Sequence, residues 1–237
     1  MATEPSKQVG FPVLAAISAA MLSITLYLIF GLAPVELQMG VVQKIFYFHV
    51  PSAYAMYVGF TASAVGSTMY LWKRRDAWDA IAVAGAEVGT VFCFIVLITG
   101  PLWAYKAWGV WWVWDPRLTT TMLVGMLFAA YLALRGFGAA GEVEKRFASG
   151  LAIVGLFILP IIHYSVQRWR GQHPTVITGK GGGLDPDMRV TLLVSFATFT
   201  FVVATLLWLR FRVERNAQRV LELELDARER GLLEDSW

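Results

Sequence analysis

The sequence predicts an all-α polytopic membrane protein with six transmembrane helices, both termini cytoplasmic and a tryptophan-rich loop on the outer face. Three observations carry this. Of 237 residues, 57% are hydrophobic and only 16% charged, against about 25% charged in a soluble domain, and the mean hydropathy is +0.57. The apolar residues gather in six runs, each near the roughly 20 helical residues that cross about 30 Å of hydrocarbon. The runs lack the alternation of barrel strands, and unpaired sheet edges cannot face lipid, so they are helices.

The runs cover 12–32, 51–72, 79–102, 118–135, 147–163 and 189–209, the fourth and fifth being short. The opening MATEPSKQVG is too polar for a signal peptide, and no small-residue cleavage site follows the first run, which is therefore expected to stay as the first span. Pro51 suits the first position of the second helix, and Asp115–Pro116 reads as cap and first residue of the fourth. These limits give a membrane domain over 1–210, a loop at about 103–119, and a charged cytoplasmic tail over 211–237. The tail carries heptad-like leucines among mixed charges and reads either as a short helix or as solvated chain. The GKGGG run at 179–183 reads as a flexible loop.

Lys and Arg set the orientation. With the N-terminus inside, the inner segments hold 13 of the 20 and the outer loops 7. The net charge of +3 then reflects topology, and no basic patch interleaved with aromatics suggests a nucleic-acid surface. Cys93, the single cysteine, lies in the third span, and without C-x-x-C-H the chain is not itself a covalent c-type cytochrome.

The outer face gathers the unusual residues. WGVWWVWDPRLT, Trp108–Thr119, holds four of the ten tryptophans within seven residues. On a helix Trp108, Trp111, Trp112 and Asp115 would share one face, as in a short helix lying along the membrane surface. An aromatic belt accounts for one or two indoles per helix end, as at Trp72, Trp78 and Trp208, but not for this cluster. A large planar ligand with charged edges would use it, its faces covered by indoles including Trp114. Arg117, Lys106, Arg168 or Arg170 would meet its carboxylates.

Only three histidines exist: His49 in KIFYFHVPSA, His163 in LPIIHYSVQRW, and His173 in GQHPTV. His49 and His163 fall at the outer boundary on either side of the tryptophan loop. Each alone reads as an interfacial side chain bonded to a carbonyl; together they suit the axial positions of a haem iron. Zinc would want three or four ligands, to which His173 could contribute, but no cysteine and few acids stand nearby. Glu87, mid-span, reads either as a contact lining a ligand path or partner interface, or as a protonated acid bonded within the bundle. Gly59, Gly66, Gly85 and Gly89 read as close-packing faces.

WGVWWVWDPRLT resembles the WWD motif of the haem-handling proteins of cytochrome c maturation. Together with KIFYFHVPSA and LPIIHYSV it narrows the resemblance to the CcmC family, over about Val42 to Arg210. CcmF and CcsA-type relatives share the loop but differ in length or flanking histidines. The resemblance implies that His49 and His163 are the axial ligands of a non-covalently bound haem b held edge-on at the outer leaflet. Trp108, Trp111, Trp112, Trp114, Asp115, Arg117 and Arg168 would form its binding site. It also implies delivery to the haem chaperone CcmE, which binds haem covalently, with the small protein CcmD and the CcmAB transporter as partners in the cytoplasmic (inner) membrane. ATP hydrolysis belongs to that transporter, and this chain has no G-x-x-x-x-G-K-[ST]. The role implied is presentation and transfer, not enzymatic catalysis. One departure is QRWRGQHPTV, where the family pattern has a paired tryptophan and a later histidine; His173 is a loose match to the latter. The alternative is a membrane haem-containing electron-transfer subunit, which would need a second redox centre. A small-molecule transporter has less behind it, since only Glu87 and Pro160 suggest broken helices and midplane charge.

Overall fold

The computed structural model describes residues 9–137, 141–169, 173 and 184–232. Lys7, Arg170, the glycine run at 179–183 and the last five residues lie outside them. The described chain forms six α-helices: α1 Gly10–Tyr27, α2 Phe46–Lys73, α3 Asp76–Trp108, α4 Pro116–Phe137, α5 Glu142–Trp169 and α6 Pro186–Glu229. A π turn, Leu28–Leu32, extends α1, and a 3-10 turn, Val41–Ile45, leads into α2. All six predicted spans fall on these helices.

Five helical segments are long and apolar enough to cross a membrane, and α2 is the exception. Its 28 residues would reach about 42 Å, but its sequence is rich in Tyr, Ser, Gly and Ala. The reason is position. α2 lies at the centre of the bundle against α3, α5 and α6, so much of its surface meets protein and small residues serve it better than leucines.

The α2–α3 contact is backbone against backbone. A β-carbon on Gly59 would stand 2.5 Å from the Gly89 nitrogen, and one on Gly66 would stand 2.6 Å from the Ala82 nitrogen. The four glycines therefore do what the sequence suggested. Beyond this pair, α5 packs on α2 and α4 on α3, with Phe60 stacked on Phe128 at 3.9 Å. α6 lies along α2 and α3 and carries α1, joined by hydroxyl pairs Ser18–Thr205 at 2.8 Å and Thr25–Thr198 at 2.7 Å.

One end of the bundle is closed by charge. Asp79 is 2% exposed and accepts from Arg135 Nη2 of α4 at 2.8 Å and from Gln218 Nε2 of α6 at 3.3 Å. Lys145 of α5 donates to Asp76 at 2.8 Å, and Arg210 grips Glu87 with two nitrogens. Glu87 is thus ion-paired across two helices. The expected boundary at 210/211 shows no break: α6 runs 44 residues, about 66 Å. Its first turns past the boundary are tied to the bundle by Gln218, which donates to Asp79 of α3 at 3.3 Å and accepts from Arg215 of its own helix at 2.7 Å.

Gly59→Ala should destabilise the solubilised protein by roughly 1–3 kcal/mol, because the new methyl meets backbone that cannot rotate aside. Gly150→Ala on α5, where nothing lies within 4 Å, should be neutral or mildly stabilising. Thermal unfolding in detergent compares the two; equal midpoints would show that close α2–α3 packing does not limit stability.

Candidate functional site

The opposite end collects the tryptophan stretch and all three histidines. His49 sits in the first turn of α2, and its ring meets the last third of α3. Its Nδ1 lies 2.8 Å from Thr99 Oγ1, and a β-carbon on Gly100 would fall 3.3 Å from its Cε1. Trp103, one turn further along α3, donates from Nε1 to Gln43 Oε1 at 3.3 Å, fastening α3 to the turn that delivers α2.

The His49 ring lies beside that of His173, with centres 6.3 Å apart and planes 27° from parallel. Arg117, in the first turn of α4, joins this pair to α5. Its Nη1 lies 3.2 Å from His173 Nδ1, and its Nη2 donates to the His163 carbonyl at 3.1 Å. A guanidinium can only donate, so His173 Nδ1 is the acceptor. His163 itself is exposed, with its ring edge-on to Tyr164 at 4.9 Å. The expected pairing of His49 with His163 is therefore not the pairing formed here: His173 stands beside His49, and His163 contributes its backbone carbonyl. Arg168 and Lys106 lie exposed in the last turns of α5 and α3.

The tryptophan stretch departs from its helical expectation. Gly109 adopts φ +74° and its N–H bonds back to Tyr105, closing α3. Asp115 precedes proline, which disfavours helical backbone there. Residues 109–115 are non-helical, a shorter break than 103–119, and the indoles form no single face. They pair instead: Trp103 with Trp108 at 5.7 Å, Tyr105 with Trp111 at 4.3 Å and 14°, and Trp112 with Trp114 at 5.8 Å. Trp111 is 53% exposed and Trp114 74%.

Asp115 is buried and caps α4 as expected, its Oδ1 accepting from the Leu118 N–H at 2.7 Å. Among the described residues its Oδ2 has no partner, and neither do the buried Trp112 Nε1 and Arg117 Nε. Buried polar atoms are nearly always satisfied, so three orphans on one loop and the turn after it mark a place prepared for something else. Thr99, Gly100, Gln43 and Tyr105 were not singled out from sequence. The only local trace is the Thr99–Gly100–Pro101 run, a polar interruption late in an apolar span.

The CcmC family, described as heme exporter protein C, matches residues 4–226. Heme exporter protein C of Escherichia coli (strain K12) is 37% identical over 202 residues, covering 85% of this chain and 82% of its own length. Its counterpart in Bradyrhizobium diazoefficiens is 35% identical over 217 residues, covering 90% and 82%. A putative cytochrome c biosynthesis ccmC-like mitochondrial protein of Arabidopsis thaliana is 33% identical, covering 81% and 73%.

Asp115→Ala should cost about 1 kcal/mol at the start of α4, whereas Asp115→Asn should keep the cap. Hydrogen exchange of the first turn of α4 checks this: faster with alanine, unchanged with asparagine. Equal acceleration in both would give the charge, rather than the hydrogen bond, the structural role.

Proposed function

The chain belongs to the CcmC family, heme exporter protein C, and on that footing we propose how this multi-pass membrane protein handles haem for cytochrome c maturation. It holds haem b non-covalently at the tryptophan end, on the outer, periplasmic face of the cytoplasmic membrane. From there it passes the haem to the chaperone CcmE, with CcmD and the CcmAB transporter as partners. Haem is cargo here, and the family is one of exporters.

The observation that carries this reading is the His49–His173 pair. Two imidazoles trans on one iron, each nitrogen about 2 Å from the metal, hold their ring centres about 6 Å apart. The rings stand 6.3 Å apart but stacked, with planes 27° from parallel, so the spacing suits a bis-histidine site and loading asks the rings to turn until their Nε2 atoms face each other. The geometry favours His49 and His173 as axial ligands. His163, whose carbonyl touches the same Arg117, is the alternative second ligand.

The surroundings suit the rest of the macrocycle. Trp112 Nε1 and Arg117 Nε are buried donors without partners among the described residues, the chemistry a propionate carboxylate needs. Trp111 and Trp114 offer exposed indole faces to the porphyrin. Trp108, at the end of α3, and Arg168, at the end of α5, flank the site as outer contacts. Asp115 Oδ2 is an acceptor and unsuited to a propionate; its charge instead lies close enough to support the Arg117 guanidinium. Arg117 also has a gating role, because its bond to His173 Nδ1 leaves the proton of the neutral ring on Nε2. Loading through Nε2 requires the guanidinium to turn away, toward a propionate.

Exposure suits transfer, since a cargo that must leave cannot be sealed in. An electron carrier would need a second centre across the bilayer, and all three histidines of the chain stand at this end.

Haem-loaded protein should show a low-spin bis-histidine spectrum that His49→Ala and His173→Ala abolish and His163→Ala leaves intact. Loss with His163→Ala but not His173→Ala would move the second ligand to α5, and no change in any variant would refute axial ligation. Replacing Trp111 and Trp112 together by alanine should weaken haem retention roughly tenfold or more, with insertion unaffected. Undiminished retention, measured by haem loss to apomyoglobin, would leave the loop as a membrane anchor.

A further inference from the structure

We propose that Thr99 is the positioning residue that sets the tautomer of His49, presenting its Nε2 as an unprotonated ligand for iron; this rests on the reading of His49 as an axial ligand. The assignment follows from where the hydroxyl proton goes. Thr99 Oγ1 lies 2.6 Å from the carbonyl oxygen of Ile95, one turn earlier on α3. A carbonyl cannot donate, so at that distance the proton lies between them and belongs to Thr99. Toward His49 the same oxygen therefore offers a lone pair, and the nitrogen 2.8 Å away, Nδ1, carries the hydrogen. A neutral imidazole holds one ring proton. With it on Nδ1, the lone pair is on Nε2.

Three features of α3 make the seat. Thr99 spends its proton within its own helix, as threonines in apolar helices commonly do, and so becomes a one-way acceptor. Gly100, next along, has no side chain to push the ring: a β-carbon there would come within 3.3 Å of His49 Cε1. The glycine-packed register of α2 against α3 brings the two segments to this distance. The contrast with His173 is informative. Arg117 donates to that ring's Nδ1, so the two histidines are held in opposite tautomers. His49 is poised to bind, and His173 must first exchange its partner. Iron would thus meet His49 first and complete its coordination on His173 afterwards.

An Nδ1–H bond to a fixed acceptor orients a ligating ring and makes it a stronger donor; loss of such a partner typically costs 10–100-fold in metal affinity. Thr99→Val keeps the shape and removes the acceptor, while Thr99→Ser keeps the acceptor. In the full chain, purified and loaded with hemin, Thr99→Val should release haem at least tenfold faster to apomyoglobin. It should also raise the midpoint potential of bound haem, since a weaker donor favours ferrous iron. Thr99→Ser should restore both. If valine disturbs folding, judged by size exclusion, Thr99→Ala is read against Thr99→Ser in the same way. His49→Ala runs in parallel. Should that variant leave the ligation unchanged, the ligand reading itself fails. Should it destroy ligation while the hydroxyl-free Thr99 variant matches the wild type in release and potential, the ligand reading stands and the positioning role is overturned.

Discussion

The close approach of α2 and α3 is the constraint on which the rest of the structure depends. The two helices run antiparallel with one register throughout: Gly66 faces Ala82, Ser63 faces Gly85, and Gly59 faces Gly89. Continued to the tryptophan end, the same register sets His49 against Thr99 and Gly100. A side chain at any glycine would wedge the helices apart, and the displacement would grow toward the end where the histidine must meet its acceptor. Packing in the middle of the membrane thereby becomes precision at its surface.

Ion pairs dominate one end of the bundle and exposed indoles with unpartnered polar atoms gather at the other, although Arg135 Nε at the ion-paired end is also buried without a partner among the described residues. At the tail end, Asp79, Arg135 and Lys145 are drawn into ion pairs bridging α3, α4 and α5, while Glu87 and Arg210 bind α3 to α6. Partnered charges of this kind hold helices in one arrangement, and breaking a pair would leave a charge in a poor solvent for it. At the other end, Trp112 Nε1, Arg117 Nε and Asp115 Oδ2 are buried without partners among the described residues, and large indoles stand exposed. The cost of leaving the two donors, Trp112 Nε1 and Arg117 Nε, unsatisfied is what a ligand with carboxylate edges and broad apolar faces would relieve, while the Asp115 carboxylate supports the Arg117 guanidinium. One end is built to stay closed and the other to be completed.

Much of the architecture was legible because hydropathy reports burial in lipid directly. The first span was read as 12–32 and runs from Gly10 to Leu32. Helix ends were less legible: α2 begins at Phe46, so Pro51 lies inside its first two turns rather than opening it, and α5 begins at Glu142, where polar residues continue the helix past the apolar run. At the tryptophans, periodic spacing suggested one helical face, but Gly109 and the Asp115–Pro116 step break the helix on both sides, and local backbone chemistry outweighs periodicity. The histidines mark the limit of one-dimensional reading. Depth along a span placed His49 and His163 together, yet the ring beside His49 is that of His173, which lies in no span and carries no periodic signal. Thr99 was invisible for a similar reason. The Thr99–Gly100–Pro101 run interrupts its span, but nothing there points to His49 until α2 is laid alongside.

The central claim, that haem is held at the tryptophan end against His49, is tested most directly by imaging. Electron cryo-microscopy of the haem-loaded protein in lipid nanodiscs would locate the iron without reference to any substitution. The account predicts density for the macrocycle between α3 and α4 at the tryptophan end, its iron within bonding distance of His49 Nε2 and its faces against Trp111 or Trp114. Haem lodged instead among the ion pairs of the opposite end, or resting on lipid with His49 still bonded only to Thr99, would contradict it.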